Sequence, residues 1–249
     1  GGLFVKAPDN DLKRAYKKLT RLSYAYAWLA DLSLIILGGG LKRKERFSAR
    51  LADGMSYLYM GMAAIRYYQH NPDNEDEILH AKWATDYCFY HAQKSMLALC
   101  WNFPSKLIGG FARLLVFPFG QTMKLPSDQM DYKMALSMTN HNEFRSEIKK
   151  SVYHDGNQSK TVDLFEQAIH AIIENKDLYE KIKDLKGLKF ERLKTRLEKK
   201  VKDGELTQAE MDALVKTEQL RWKAIQVDEF DFDDMKKQNY DSIVDKYLS

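Results

Sequence analysis

With 249 residues, 45% of them apolar and 30% charged, the chain can bury a core as one large domain or two modest ones, which excludes a disordered polymer. A net charge of +4 is too small to imply nucleic acid. Two lone cysteines, Cys88 and Cys100, exclude a disulfide framework and a zinc site, and read as reduced core residues.

From Asp11 to Leu37 apolar residues recur at helical spacing, as in Leu12, Tyr16, Leu19, Leu22, Tyr26 and Leu29, which predicts a helix. Its most apolar part, from Leu22, contains Asp31 and stops at Gly38-Gly39-Gly40 after about sixteen residues, short of the roughly 20 that a membrane span needs. A helix buried in a bundle is therefore expected. Nothing before Gly38–Gly40 reads as a strand, so these glycines predict a tight helix-to-helix turn rather than a phosphate cradle. The opening Gly1-Gly2, with no initiator Met, reads as a chain whose beginning is missing.

A second helix is predicted from about Leu41 to Tyr68. It begins with five bases between Lys42 and Arg50, set between two of the most apolar helices of the chain. At helical spacing Arg43, Arg46, Arg50, Asp53 and Tyr57 fall near one face. Charges placed there are costly unless paired, so Asp31 and Asp53 are expected to form a partly buried structural ion network with Arg43, Arg46 and Arg50. An interface to another domain or to an anionic cofactor is the alternative.

His70-Asn71-Pro72 ends that helix, and acidic residues from Asp73 to Glu77 open a third, from about Glu75 to Trp101. A fourth, Ser105 to Val116, makes about three turns, too short to span a bilayer. No Asp or Glu lies between Asp86 and Asp128, whereas Lys94, Lys106, Arg113 and Lys124 do. Lys106 and Arg113 are seven residues apart on one face. Leu107, Ile108, Phe111, Leu114 and Leu115 spread over the other, with Phe117 and Phe119 following around Pro118. A basic face, an apolar face and an aromatic edge predict a membrane-interfacial segment over 104–120. The same pattern also suits a core helix.

A further helix is expected from Pro126 or Ser127 to Met138, then a polar linker from His154 to Lys160. Beyond it Val162 to Ile173 is amphipathic, and Leu178 to Lys202 is Lys-rich with leucines on one face. Asp203-Gly204 breaks the pattern. Thr207-Gln-Ala-Glu210 has the form of a capping box, and the surrounding stretch lacks the alternating ligands of an EF-hand. The tail VDEFDFDD carries five acids around two phenylalanines and reads as a docking or solvated tail. These elements predict an all-α fold: an antiparallel helical bundle over 1–155 and a smaller helical appendage with an acidic tail over 156–249.

The six histidines make no HxxxH or HExxH pair, and there is no GxSxG, Walker or dinucleotide motif. One longer pattern is more specific. LADLSLIILGGGLKRKERFSARLADGMSYLYM, from Leu29 to Met60, resembles the C-terminal domain of the large bacterial acyl-CoA dehydrogenases of the FadE type. NFP at Asn102–Pro104, LLVFPFG at Leu114–Gly120, LPSDQMD at Leu125–Asp131, then DGELTQAEMDAL and VDEFD, follow in the same order. The likeness extends from about Leu19 to Asp231.

Such enzymes use FAD and a glutamate base to oxidise acyl-CoA to trans-2-enoyl-CoA in fatty acid β-oxidation. The resemblance implies that flavin, base and acyl pocket belong to an upstream dehydrogenase core, so no catalytic, cofactor-binding or metal residue is assigned here. It implies an accessory region of the enzyme, and together with the interfacial segment 104–120 the expectation is that this region stabilises the enzyme and attaches it, on the cytoplasmic side, to an anionic inner-membrane surface. A non-catalytic helical adaptor is the alternative, and a homodimer is left open.

Overall fold

The computed structural model describes residues 6–70, 75–140, 143–152 and 160–225. Among them every regular element is helical, and the chain divides into two compact units, Gly1–Lys149 and Lys150–Ser249. The predicted linker after His154 falls outside the described residues up to 159, and the acidic tail falls outside them entirely.

The first unit is built on α1 (Lys13–Leu37), α2 (Glu45–His70) and α3 (Glu75–Trp101). Gly54 of α2 lies against Tyr26 and Met96, and Gly61 against Cys88 and Phe89, so α2 and α3 run antiparallel. Lys18 reaches Asp86 at 2.7 Å and Lys82 reaches Asp11 at 3.3 Å, which sets α1 parallel to α3. The shared core contains Leu22 and Leu29 of α1, Leu58 and Ile65 of α2, and Phe89, Met96 and Leu99 of α3. Gly61 is an obligatory close approach, because a Cβ there would lie 2.6 Å from the Phe89 ring.

The first helix corrects the sequence-based expectation. It is 25 residues long, continues into a 3-10 turn (Gly38–Arg43), and by length and composition could cross a bilayer. Only one stripe of it is buried: Ala15, Leu22, Ala25, Leu29 and Ser33. Tyr24, Leu34 and Ile35 face outward, with Asp31 exposed in the same stripe, which weighs against a span. The glycines do form the connection between helices. Gly38 takes φ +49° and its N–H donates to Leu34 O, so that amide is not free to hold a phosphate.

Two shorter helices close the unit beside α3. After α4 (Lys106–Val116) comes α5 (Asp128–Thr139), whose N-cap Ser127 accepts from the Met130 amide. The Trp83 indole donates to Asp131 at 2.6 Å, and Ser137 bridges Asp76 and His80. The sequence pattern misses α6 (Glu143–Lys150), whose Phe144 stacks on His80 at 3.9 Å.

The second unit contains α7 (Lys160–Glu174), α8 (Lys176–Lys181), a 3-10 turn (Lys183–Leu185), α9 (Phe190–Lys202) and α10 (Gln208–Ile225). The continuous helix expected from Leu178 to Lys202 is broken, because Gly187 takes φ +84°, a left-handed conformation that stops an α-helix. The capping box at α10 forms as predicted. Thr207 N–H donates to Glu210 at 2.8 Å, and Glu210 N–H donates to the Thr207 hydroxyl at 3.2 Å. Leu193, Leu197, Met211 and Leu214 are in its core.

Candidate functional site

The segment from Asn102 to Gly120 is apolar, yet most of its large side chains are outside. Ser105 caps α4 by accepting from the Ile108 amide, and the helix then lies against the C-terminal end of α3. Gly109 makes the contact. A Cβ at that position would fall 2.3 Å from Cys100 O and 2.8 Å from Phe103 Cβ, so only hydrogen fits. Ala112, three residues on, is fully buried beside it. The helix thus turns its small residues inward, and its large ones point away at spacings of three and four.

Leu107 is 87% exposed, Phe111 63%, Leu114 61%, Leu115 57% and Phe119 85%. Large apolar side chains this open are here gathered on one short helix and its exit. Lys106 and Lys124 are exposed, and the Arg113 guanidinium sits 5.1 Å from the Trp101 ring centroid. Trp101 itself is 69% exposed and extends the patch with a residue type favoured at membrane interfaces. It ends the preceding helix, so reading 104–120 as a separate segment missed it.

Two predicted contact residues are placed differently. Phe117 is buried: the chain leaves the helix there (φ −131°, ψ 63°), and the ring turns into the core. Ile108 is only half-buried and packs against the same core beside Gly109. The exit loop is held by Gln93, which is wholly buried on α3. Its carbonyl accepts from the Thr122 and Met123 amides at 2.9 and 2.7 Å, and its amide donates to Gly120 O at 3.0 Å. Gln93 fixes Phe119 outside and Met123 inside, although nothing in its sequence setting marks it.

The predicted ion network does not form. Asp31, Arg43, Arg46 and Asp53 are exposed, Arg50 is half-buried, and among the described residues no ion pair joins any of them. Arg50 instead donates to Arg46 O at 3.1 Å. The expected shared face requires one helix from Leu41, whereas Arg43 ends the 3-10 turn and Lys44 (φ −102°, ψ 65°) separates it from α2. Solvated charges here need no partner.

Burial shifts both cysteines and two of the described histidines. Burial pushes the Cys100 thiol up to about 11 and raises Cys88 as well, so both stay protonated. Burial lowers His80 and His91 and keeps them neutral. In the chain Asp76–Ser137–His80 the serine donates to the aspartate at 2.7 Å, so it accepts from His80 at 3.1 Å. A nucleophilic serine needs the reverse, with histidine taking its proton. Among the described residues no group of three or more His, Cys, Asp or Glu could hold a metal.

The described residues form helical units, one of which carries an exposed apolar and basic helix. The chain belongs to the acyl-CoA dehydrogenase C-terminal family of bacterial type, whose family model matches residues 1–230. No solved structure matches it. The family implies FAD in the parent enzyme. At two places where its phosphates could sit, the Gly38 amide is already bonded, and the lysines Lys18 and Lys82 lining a cavity of about 480 Å³ beside α1 and α3 are paired with Asp86 and Asp11.

Proposed function

We propose that this chain is the accessory region of an FAD-dependent acyl-CoA dehydrogenase of fatty acid β-oxidation, and that it stabilises the enzyme and attaches it to the anionic inner surface of the bacterial membrane. The observation carrying this reading is the outward apolar face of α4, with Lys106, Arg113 and Lys124 close to it in sequence. Five large side chains entering the interface contribute about 1.5–3 kcal/mol each when fully buried. Each base near anionic lipid adds about 1 kcal/mol. That supports reversible attachment of an enzyme whose substrates are acyl chains.

Flotation of the 249-residue chain with vesicles tests it. Vesicles containing anionic lipid should carry the protein up the gradient, and neutral vesicles should carry much less. Replacing Phe111 and Leu115 together by Asp should abolish flotation and leave the melting temperature unchanged, because neither side chain is in the core. Flotation of that variant at the wild-type level would rule the α4 face out.

A second reading, a helical adaptor acting through protein contacts, is favoured by the outer face of α2. Met55, Tyr59, Met60 and Met62 are 46–65% exposed there, and Asp53 and Arg66 are the nearest charges on either side. An upstream dehydrogenase core or a second copy would cover such a face. If the chain does not bind vesicles and light scattering shows a dimer, this reading replaces the first.

A further inference from the structure

In the second unit a cavity of about 460 Å³ opens beside α8 and α10. Its apolar side includes Ile182, Leu185 and Leu193, all buried, and its polar side includes Lys183, Lys186 and Arg221 together with Glu180 and Glu218. Volume and lining suit one large apolar group that carries negative charge beside it. Lys183 pairs with Glu180 and Arg221 with Glu218, while exposed Lys186 has no ion pair. Bases outnumber acids in the lining by three to two, above an apolar floor.

We propose that the acidic and aromatic segment 227–234 of this same chain docks into that cavity. One ring, Phe230 or Phe232, would fill the Ile182–Leu193 floor, with neighbouring acids facing Lys183 and Lys186. Three observations favour this occupant over an external one. The segment holds five acids and two phenylalanines in eight residues, complementary to the cavity in charge and apolar character. It follows directly on α10, which ends at Ile225 and itself lines the cavity through Glu218 and Arg221.

Reach is sufficient: Arg221 is about 6 Å from the helix end at 1.5 Å per residue, and the five residues to Phe230 span up to about 17 Å. A short tether gives an effective concentration in the millimolar range, so even a contact with a dissociation constant of about 0.1 mM is roughly 90% formed. The inference concerns the second unit alone and is independent of membrane attachment by α4.

Photo-cross-linking of the full 249-residue chain tests it, with p-benzoylphenylalanine in place of Phe230 and, separately, of Phe232. At least one probe should cross-link within its own chain to residues 182–193 or 218–221, read by mass spectrometry. Lys183→Glu with Lys186→Glu should reduce that product at least threefold, and 0.5 M salt should weaken it in the same direction. Both lysines are exposed, so the double variant keeps the fold, which circular dichroism verifies. Cross-links to the first unit, between two chains, or none from either probe overturn the proposal, as does an unchanged yield in the double variant.

Discussion

The adjacent helices α3 and α4 are both apolar and meet at Gly109, yet they use their side chains in opposite ways. In α3 the large residues Phe89, Met96 and Leu99 are fully buried, because α1 and α2 cover it and α5 crosses it. In α4 the buried residues are Gly109 and Ala112, and four of the large ones are more than half exposed. Composition does not separate the two cases. What differs is the number of neighbours: a helix enclosed by others buries its bulk, whereas one docked by a single edge buries whatever permits the closest approach.

The largest test of this contrast compares two phenylalanines. Phe89→Ala should cost about 3–5 kcal/mol by leaving a cavity at the centre of the bundle. Phe111→Ala should change stability by no more than about 0.5 kcal/mol, as an exposed site does. Urea unfolding of both variants measures this, and similar losses would erase the distinction between the helices.

Gln93 sharpens the contrast at the exit of α4. Gln93→Leu keeps the volume but removes the acceptor of the Met123 amide and the donor to Gly120 O. The expected loss is about 1–3 kcal/mol for each group left buried and unbonded. It should also release the loop that presents Phe119, seen as faster amide exchange at Thr122 and Met123. Unchanged exchange would mean that the loop is held by something else.

The glycine pair inside α4 should respond with opposite signs. Gly109→Ala places a methyl against Cys100 O and Phe103, so overpacking should cost about 1–3 kcal/mol and displace the helix. A Cβ on Gly110 meets nothing within 4 Å. Gly110→Ala should therefore stabilise by about 0.5–1 kcal/mol through backbone entropy alone. Equal effects would show that α4 is not seated through Gly109.

The smallest effect is electrostatic and belongs to the second unit. The Glu210 carboxylate accepts from Lys181 and from the Thr207 amide and hydroxyl, and these hold its pKa down to about 2 from the ordinary 4.5. A folded pKa below the unfolded one means the contribution is complete above about pH 4.5 and is lost as pH falls toward 2. The Thr207 amide shift should titrate with a midpoint near 2, and Glu210→Gln should remove that titration. A midpoint near 4.5 would mean that the capping contact is not made in solution.

Much of the fold was legible because its signals are local. The predicted limits of α3 match the observed ones, since Glu75, Asp76 and Glu77 mark its start and the NFP turn marks its end. Ser105, Ser127 and Thr207 each announce a helix start through a hydrogen bond within three residues. Errors arose where a residue's role depends on a remote partner or on φ. Gly187 reads as one more residue in a Lys-rich helix until its left-handed backbone breaks it. Arg43 reads as part of α2 until the six-residue 3-10 segment Gly38–Arg43 sets it apart.

The sequence by itself determined an all-α chain, its family, and a basic and apolar helix in a stretch of forty-one residues without an acid, because periodicity, caps and charge are properties of neighbouring residues. Only the tertiary structure decided which way that helix faces. Ile108 and Phe117 go inward while Leu107, Phe111 and Phe119 go outward, because Gly109 lets α4 touch the backbone of α3 and Gln93 ties down the loop beyond it. Gly109 meets the turn back to Cys100 and Phe103, and Gln93 bonds to Gly120, Thr122 and Met123 at separations of 27 to 30 residues, and no local pattern encodes either contact.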